Sequence, residues 1–364
     1  MKRIGIVLSV SCTVALVAAL VPAVASGVNV EAPSTPSFSV DDRKKPKPTK
    51  KPKPTKSPKP SKSPKPTATP TPSPAAPVPV QARAIEDWIK AQPKTYKQAE
   101  STFTYHVQPL LVGSDWEAAA KVGDKAAFEV HAMLGQPVTQ PFRVFLGWDF
   151  TWLRERISTS ECPRFYDNQD AGVCPPSDVI FTRFSGYQRW DPNATPTSKL
   201  NPAGRMGTSG LLGHEMSHIV QASLYPRSSS AAPFPKDSRW LIEGWASMIQ
   251  MLILMRVYDL PYWKARDYQL KILTTPCEGI KLRDVLVEPT GNGCEYIRGL
   301  LATEYLMWKT GDMKAGWTWV SQDATSTREG FEMAFDLDMD EFMEEADAYI
   351  DRELALWPKR EWPR

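Results

Sequence analysis

The stretch GLLGHEMSHIVQA, residues 210–222, carries two of the only four histidines in this 364-residue chain, four positions apart. Positions i and i+4 of an α-helix lie on one face, one turn apart, so His214 and His218 can direct both imidazoles at a single point. Apolar residues flank the pair and Pro226 follows, which predicts a buried helix over 208–225. The alternative is an ordinary helix that carries two polar residues by chance, and the scarcity of histidine argues against it.

The residue types in this stretch match the needs of a catalytic zinc ion. Such a site takes three protein ligands and leaves the fourth tetrahedral position to water. Glu215 is turned about 100° around the helix from His214, which places its carboxylate beside the metal rather than on it. There it can act as general base on a water that the metal makes more acidic. The His-Glu-x-x-His spacing therefore predicts hydrolytic chemistry.

A third ligand is expected downstream, and Glu243 is the strongest candidate. It is the lone carboxylate in RWLIEGWASMIQMLILMRVY, residues 239–258, a segment apolar enough to predict a buried helix. An unpaired buried charge is very costly, and metal ligation would remove that cost. The alternative is that Glu243 pairs with Arg239 or another base.

These two segments together resemble a known family. HEMSH at 214–218, followed after 24 intervening residues by Glu243 in WLIEGWAS, is similar to the gluzincins, which are zinc metallopeptidases. Within them it looks most like the peptidase-MA-like group and, more distantly, the aminopeptidase N type. The resemblance covers about residues 110–355. It implies an α+β, zincin-like fold, with a small twisted β-sheet over the His-containing helix and a helical C-terminal lobe. It also implies His214, His218 and Glu243 as the ligands of Zn2+ and Glu215 as the catalytic base.

The resemblance further implies a tyrosine, downstream of the Glu helix, that donates a hydrogen bond to the developing oxyanion. Tyr296 in CEYIRGLLATEYLMWKTGD matches that place best, and Tyr305 is the weaker alternative. Ser247 stands where thermolysin-like relatives have an aspartate that supports a ligand histidine, so another group must orient the imidazoles. The chain has no Gly-x-Met-Glu-Asn segment to grip a free amino terminus, and typical aminopeptidase activity is not expected. The other histidines, His106 and His131, are expected to be structural.

The folded region, 81–364, is predicted to be one α+β domain. Two helices and two strands are predicted in its first half: helices over 82–92 and 114–135, the second ending at Gly135, and strands over 141–148 and 178–184. The later strand is expected at the sheet edge over the cleft, where it could pair with a substrate backbone. From 259 to about 356 the pattern predicts helices.

Four cysteines remain in the chain once the N-terminal leader is set aside: Cys162, Cys174, Cys277 and Cys294. Three pairings are possible, and the local ones, Cys162–Cys174 and Cys277–Cys294, would each close a short loop. Spacing of the Cys-x-x-Cys kind, which zinc ribbons use, does not occur. The sequence therefore predicts two structural disulfides and an oxidising compartment.

The N-terminal part differs in composition from the rest. Residues 1–25 have the layout of a secretory signal peptide, and an uncleaved membrane anchor is the alternative. Residues 26–80 are rich in proline and lysine and are predicted to form a disordered linker, in which Arg43 to Lys65 carry eleven positive charges and no negative one. This linker could contact polyanions of a cell envelope. Nucleic-acid binding is not expected, because the basic tract has no interleaved aromatic residues. From Gln81 onward, 31 basic and 38 acidic residues give a net charge of −7.

These features lead to one main hypothesis and two alternatives. The main one is a secreted or envelope-associated zinc metallopeptidase of bacterial origin, monomeric, without a membrane span in the mature chain, and acting on a peptide or protein substrate. The second is a non-catalytic, zinc-stabilised module that binds envelope polymers or protein partners. The third is hydrolysis of a non-peptide amide. Glu215 favours catalysis, because a purely structural zinc site needs no base.

Overall fold

The computed structural model describes residues 78–93, 102–162, 171–174, 177–189, 193–226, 238–272, 277, 279–285 and 293–356. The predicted signal peptide and nearly all of the linker lie outside these residues. Chain contacts divide the molecule into two units, Met1–Pro70 and Thr71–Arg364, and every described residue belongs to the second. The following paragraphs therefore concern that unit alone.

The described fold is α+β and mostly helical, as the sequence predicts. Its four strands are β1 (Phe103–Val107), β2 (Phe142–Gly147), β3 (Ala171–Cys174) and β4 (Val179–Arg183). Its helices are α1 (Val80–Ala91), α2 (Asp115–Val122), α3 (Asp124–Met133), α4 (Phe150–Arg156), α5 (Pro202–Leu224), α6 (Arg239–Tyr258), α7 (Tyr262–Ile272), α8 (Cys294–Thr310), α9 (Ala315–Val320), α10 (Thr327–Phe335) and α11 (Met339–Leu356). Short 3-10 turns cover Pro109–Leu111, Phe184–Arg189 and Leu282–Val285.

The strands form one mixed sheet in the order β1-β2-β4-β3. Strand β2 pairs in parallel with both β1 and β4, whereas β3 pairs antiparallel with β4. The expectation that the 178–184 strand lies at the sheet edge is therefore wrong, because β3 covers that side of it. Strand β3 has only four residues, one of them Gly172, and such a short run gives no alternating pattern from which a strand could be predicted.

The segment predicted as one helix over 114–135 is two helices, α2 and α3, which meet at Gly123. Helix α5 approaches closely at this junction: a Cβ atom at Gly123 would lie 2.0 Å from the carbonyl oxygen of Ser209. Glycine is also a poor helix former, which favours a break at this residue. Only glycine fits there, and the chain turns at that residue to begin α3 at Asp124. The predicted stop at Gly135 is confirmed, since that residue adopts a left-handed φ of 78° just after the helix.

Helix α6 lies at the centre of the core. Every residue from Trp240 to Leu254 is buried, so the helix is apolar all round rather than on one face. It is the one helix in the described ranges that is long and apolar enough to cross a membrane, and 89% of that window is buried within the fold. Its composition is thus that of a core helix.

Helices α6 and α8 pack backbone against backbone close to the candidate site. A Cβ atom at Gly244 would lie 2.3 Å from the carbonyl oxygen of Gly299, and one at Gly299 would lie 2.6 Å from that of Trp240. No side chain separates the two helices at this point. The contact therefore sets the distance between the start of α6, which carries Glu243, and the start of α8, which carries Tyr296.

Both predicted disulfides are confirmed, with Cys162 bonded to Cys174 and Cys277 bonded to Cys294. They indicate folding in an oxidising environment. The second one ends at Cys294, the first residue of α8. The buried Arg298 side chain donates hydrogen bonds to the Cys277 carbonyl at 3.0 Å and to Asp347 on α11 at 2.6 Å. The disulfide loop, α8 and α11 are thereby joined.

Candidate metal centre

Three donor atoms from two helices meet at one point. His214 and His218 lie one turn apart on α5, and Glu243 projects from the second turn of α6. His214 Nε2 lies 3.3 Å from His218 Nε2 and 3.3 Å from Glu243 Oε2. His218 Nε2 lies 3.4 Å from the same carboxylate oxygen. The three atoms form a nearly equilateral triangle, so this group could hold a metal ion.

The size of the triangle and its donor set fit tetrahedral zinc. Zn–N and Zn–O bonds of about 2.0–2.1 Å at tetrahedral angles place neighbouring ligand atoms about 3.3–3.4 Å apart. Two imidazole nitrogens and one carboxylate oxygen also form a recognised ligand set of catalytic zinc. Within the described residues, Glu243 Oε2 is buried and accepts no hydrogen bond of regular geometry. The residues present therefore fit the ion that the sequence predicts.

The site is buried and arranged to hold a positive charge. The side chains of His214, His218 and Glu243 are only 6%, 11% and 10% exposed. Burial by itself lowers the pKa of His218, but the Glu243 carboxylate, together with Glu215 and Gln221, outweighs it and raises that pKa to about 9. Burial by itself raises the pKa of Glu243, but the positive charges of His218 and Arg239 oppose this effect and bring the pKa well below its usual range.

The two interpretations of Glu243, as a metal ligand and as an ion-pair partner of Arg239, are compatible. Its Oε2 atom faces the histidines, whereas its Oε1 atom lies 3.3 Å from the guanidinium of Arg239. Arg239 also lies 3.7 Å from Glu295 at the start of α8. Arg239 thus contacts the Oε1 atom of the carboxylate, while the Oε2 atom faces the two histidines.

Glu215 is buried close to the three residues of the triangle. It follows His214 on α5 and is buried, with 6% of its surface exposed. Burial raises the pKa of its carboxyl group, the neighbouring histidines oppose this, and the Glu243 charge adds to it. A carboxylate with a raised pKa next to a metal centre is suited to accepting and returning a proton.

The structure brings Tyr296 to the site and places Tyr305 elsewhere. The Tyr296 ring lies 5.9 Å from the His214 ring, centre to centre, and its hydroxyl oxygen accepts a hydrogen bond from Arg239. The Glu243 charge and burial keep the pKa of Tyr296 well above its usual value, so the hydroxyl retains its proton. The Tyr305 hydroxyl instead donates to Glu345 on α11 at 3.1 Å.

The group that orients a ligand imidazole is Gln221, which the sequence analysis missed. His218 Nδ1 lies 2.8 Å from Gln221 Oε1. Ser247 Oγ and His214 Nδ1 are both buried without a hydrogen-bond partner among the described residues. A glutamine three residues after the second histidine of the motif, in an otherwise apolar run, was the available signal.

The other two histidines lie away from the triangle, in structural surroundings. His106 is on β1, where its ring stacks on Phe145 of β2 with a centroid distance of 4.6 Å. His131 on α3 is fully buried and its Nδ1 atom lies 2.9 Å from the Ala127 carbonyl oxygen. Burial lowers the pKa of His131 to about 4, so it is neutral at physiological pH.

Comparisons with models of protein families, with curated proteins and with solved structures find no match for this chain. Its function is therefore inferred from the side chains that the fold brings together at the triangle.

Proposed function

We propose that this protein is a secreted, zinc-dependent metallopeptidase of the gluzincin type, with a zincin-like fold. The observation that carries the proposal is the triangle of His214 Nε2, His218 Nε2 and Glu243 Oε2, sized for tetrahedral zinc and adjacent to the buried carboxylate of Glu215. The triangle alone would not be enough, because a ligand set without a neighbouring base suits a structural ion.

The number of ligands favours catalysis over a structural role. In the part of the chain that the structure describes, the metal-ligating group has three members and no fourth cysteine, histidine or carboxylate joins it. Structural zinc sites are usually closed by four protein ligands, whereas catalytic ones keep a position for water or substrate. A three-membered group beside a carboxylate is the catalytic pattern.

The side chains divide the work of peptide hydrolysis. The zinc ion, when bound, would polarise the scissile carbonyl and increase the acidity of a water molecule. Glu215 takes the proton from the attacking water and returns it to the leaving amine. The Tyr296 hydroxyl donates a hydrogen bond to the carbonyl oxygen as negative charge develops there. Arg239 donates to the Tyr296 oxygen, which leaves the tyrosine proton available to the substrate.

Export is the second part of the proposal. The two disulfides point to an oxidising compartment, and residues 1–25 have the layout of a signal peptide. The basic, proline-rich linker that follows would tether the enzyme to anionic polymers of the envelope. Peptides or proteins outside the cytoplasm are then the substrates.

The test is to incubate the zinc-loaded protein with a diverse peptide mixture and to identify products by mass spectrometry. The Glu215→Gln variant, which keeps the three ligands, runs alongside with its zinc content measured. We expect cleavages with the wild-type protein that are absent from the variant, and their positions distinguish endopeptidase from exopeptidase activity. Equal silence from both proteins with zinc bound would overturn the peptidase and favour a zinc-stabilised binding module.

A further inference from the structure

Gln221 connects the two helices that carry the metal ligands. It lies three residues after His218 on α5 and its side chain is completely buried. Its Oε1 atom is 2.8 Å from His218 Nδ1, and its Nε2 atom donates to the carbonyl oxygen of Ile242 on α6 at 3.2 Å. Ile242 directly precedes Glu243. One side chain therefore contacts a ligand on α5 and the backbone next to the ligand on α6.

The contact with Ile242 fixes which way the amide of Gln221 points. A carbonyl oxygen can only accept a hydrogen bond, so the amide nitrogen has to face Ile242 and the amide oxygen has to face the imidazole. The reverse orientation would bring two acceptors together at Ile242. His218 Nδ1 must then be the donor in the contact with Gln221 Oε1. In the neutral imidazole this leaves Nε2 unprotonated, and Nε2 is the atom in the triangle.

The two histidines differ in this respect. His214 Nδ1 has no hydrogen-bond partner within the described part of the chain, so nothing there selects its tautomer. We infer that Gln221 is a positioning residue of the metal centre, which holds His218 in the tautomer and orientation that bind the ion and locks that ligand to the backbone beside Glu243. The inference rests on the metal centre of the proposed function and does not require that the bound metal act on peptides.

A matched control exists on the same two helices. Gln250 on α6 is also a buried glutamine, and its Nε2 atom donates to the carbonyl oxygen of Gly207 on α5 at 3.4 Å. It joins α6 to α5 as Gln221 does, but among the described residues it makes no hydrogen bond to a metal ligand. Gln221→Met and Gln250→Met each remove one buried amide between these helices, with little change in side-chain length.

The experiment measures the zinc affinity of the purified protein by competition with a chelator, together with the thermal stability of each metal-free variant. Removing a partner of a ligand histidine typically costs 10–100-fold in affinity. We expect that loss for Gln221→Met, and an unchanged zinc affinity for Gln250→Met even if both variants lose stability.

Two results would overturn the inference: a Gln221→Met affinity within threefold of the wild type, or equal losses in the two methionine variants. A wild-type protein that binds no zinc would remove the metal centre and this inference together. A wild-type protein that binds zinc but cleaves no peptide would refute the peptidase alone, and the affinities would still decide the role of Gln221.

Discussion

Acidification is expected to destabilise the fold through His131. Burial lowers the pKa of this histidine from 6.5 to about 4 in the folded protein, and its side chain has no exposed surface. As the pH falls through 6.5 the unfolded chain takes up a proton that the folded protein does not accept until about pH 4. The contribution to stability is therefore complete above pH 6.5 and lost between 6.5 and 4. Since a tenfold change in proton affinity is worth about 1.4 kcal/mol, the loss is about 3 kcal/mol.

The substitution His131→Leu isolates this contribution. The leucine is similar in size, it does not titrate, and it can fill the space beside the Trp317 ring, which lies 5.7 Å from the imidazole. We would measure the free energy of unfolding in urea, by tryptophan fluorescence, for both proteins at several pH values between 7.5 and 4. All other titrating groups are common to the two proteins, so their effects cancel in the difference.

We expect the stability of His131→Leu relative to the wild type to rise by about 3 kcal/mol from pH 7.5 to pH 4. The value at pH 7.5 only reports packing and the lost hydrogen bond to Ala127. A difference that stays constant within 1 kcal/mol over this range would refute the reasoning, because it would mean that the folded protein accepts the proton as readily as the unfolded chain.

Four further outcomes follow from the same structure. Asp124→Asn should gain stability relative to the wild type as the pH rises from 4 to 7 in the urea series, because burial raises the pKa of Asp124 to about 7. The stabilising contribution of the protonated carboxyl group is complete below pH 3.8 and is lost as the pH rises through 7. A stability difference that does not change with pH would contradict this. Glu243→Gln should abolish tight zinc binding, and full zinc occupancy at nanomolar free metal would remove Glu243 as a ligand. Tyr296→Phe should lower kcat by about 10²–10³-fold with unchanged zinc affinity. Tyr305→Phe should keep full activity, because the Tyr305 hydroxyl donates to Glu345 and not to the site. Equal losses in the two variants would exclude Tyr296 as the hydrogen-bond donor to the substrate carbonyl. Replacing the Cys277–Cys294 pair by serines should cost about 3 kcal/mol in urea denaturation, and an unchanged midpoint would show that the loop is held without the bond.

The features that the sequence predicted well are those with a local cause. Helix α6 was predicted over its observed range because a segment so rich in large apolar residues has to be buried in a core. The three members of the triangle were found because the i, i+4 spacing of His214 and His218 is a property of one helix and because Glu243 is conspicuous among apolar neighbours. The disulfides followed from cysteines close in sequence.

The features that the sequence missed depend on contacts between distant segments. The glycine at the break between α2 and α3 is required because Ser209, on another helix, comes within contact distance there. The interior position of β4 depends on β3, which is too short to show a pattern. Gln221 looked like one more polar residue of α5, and its contact with the Ile242 backbone appears only when α5 and α6 are packed together.

The glycine contact between α6 and α8 has a consequence for how the site tolerates change. Gly244 and Gly299 touch through main-chain atoms, so the spacing between the backbones at Glu243 and Tyr296 is set with no side chain between the two helices. The carboxylate and the phenol are therefore carried by two helices in direct main-chain contact. A methyl group at either glycine would push the two helices apart. The Glu243 carboxylate and the Tyr296 hydroxyl would then lose their alignment even in a protein that still folds.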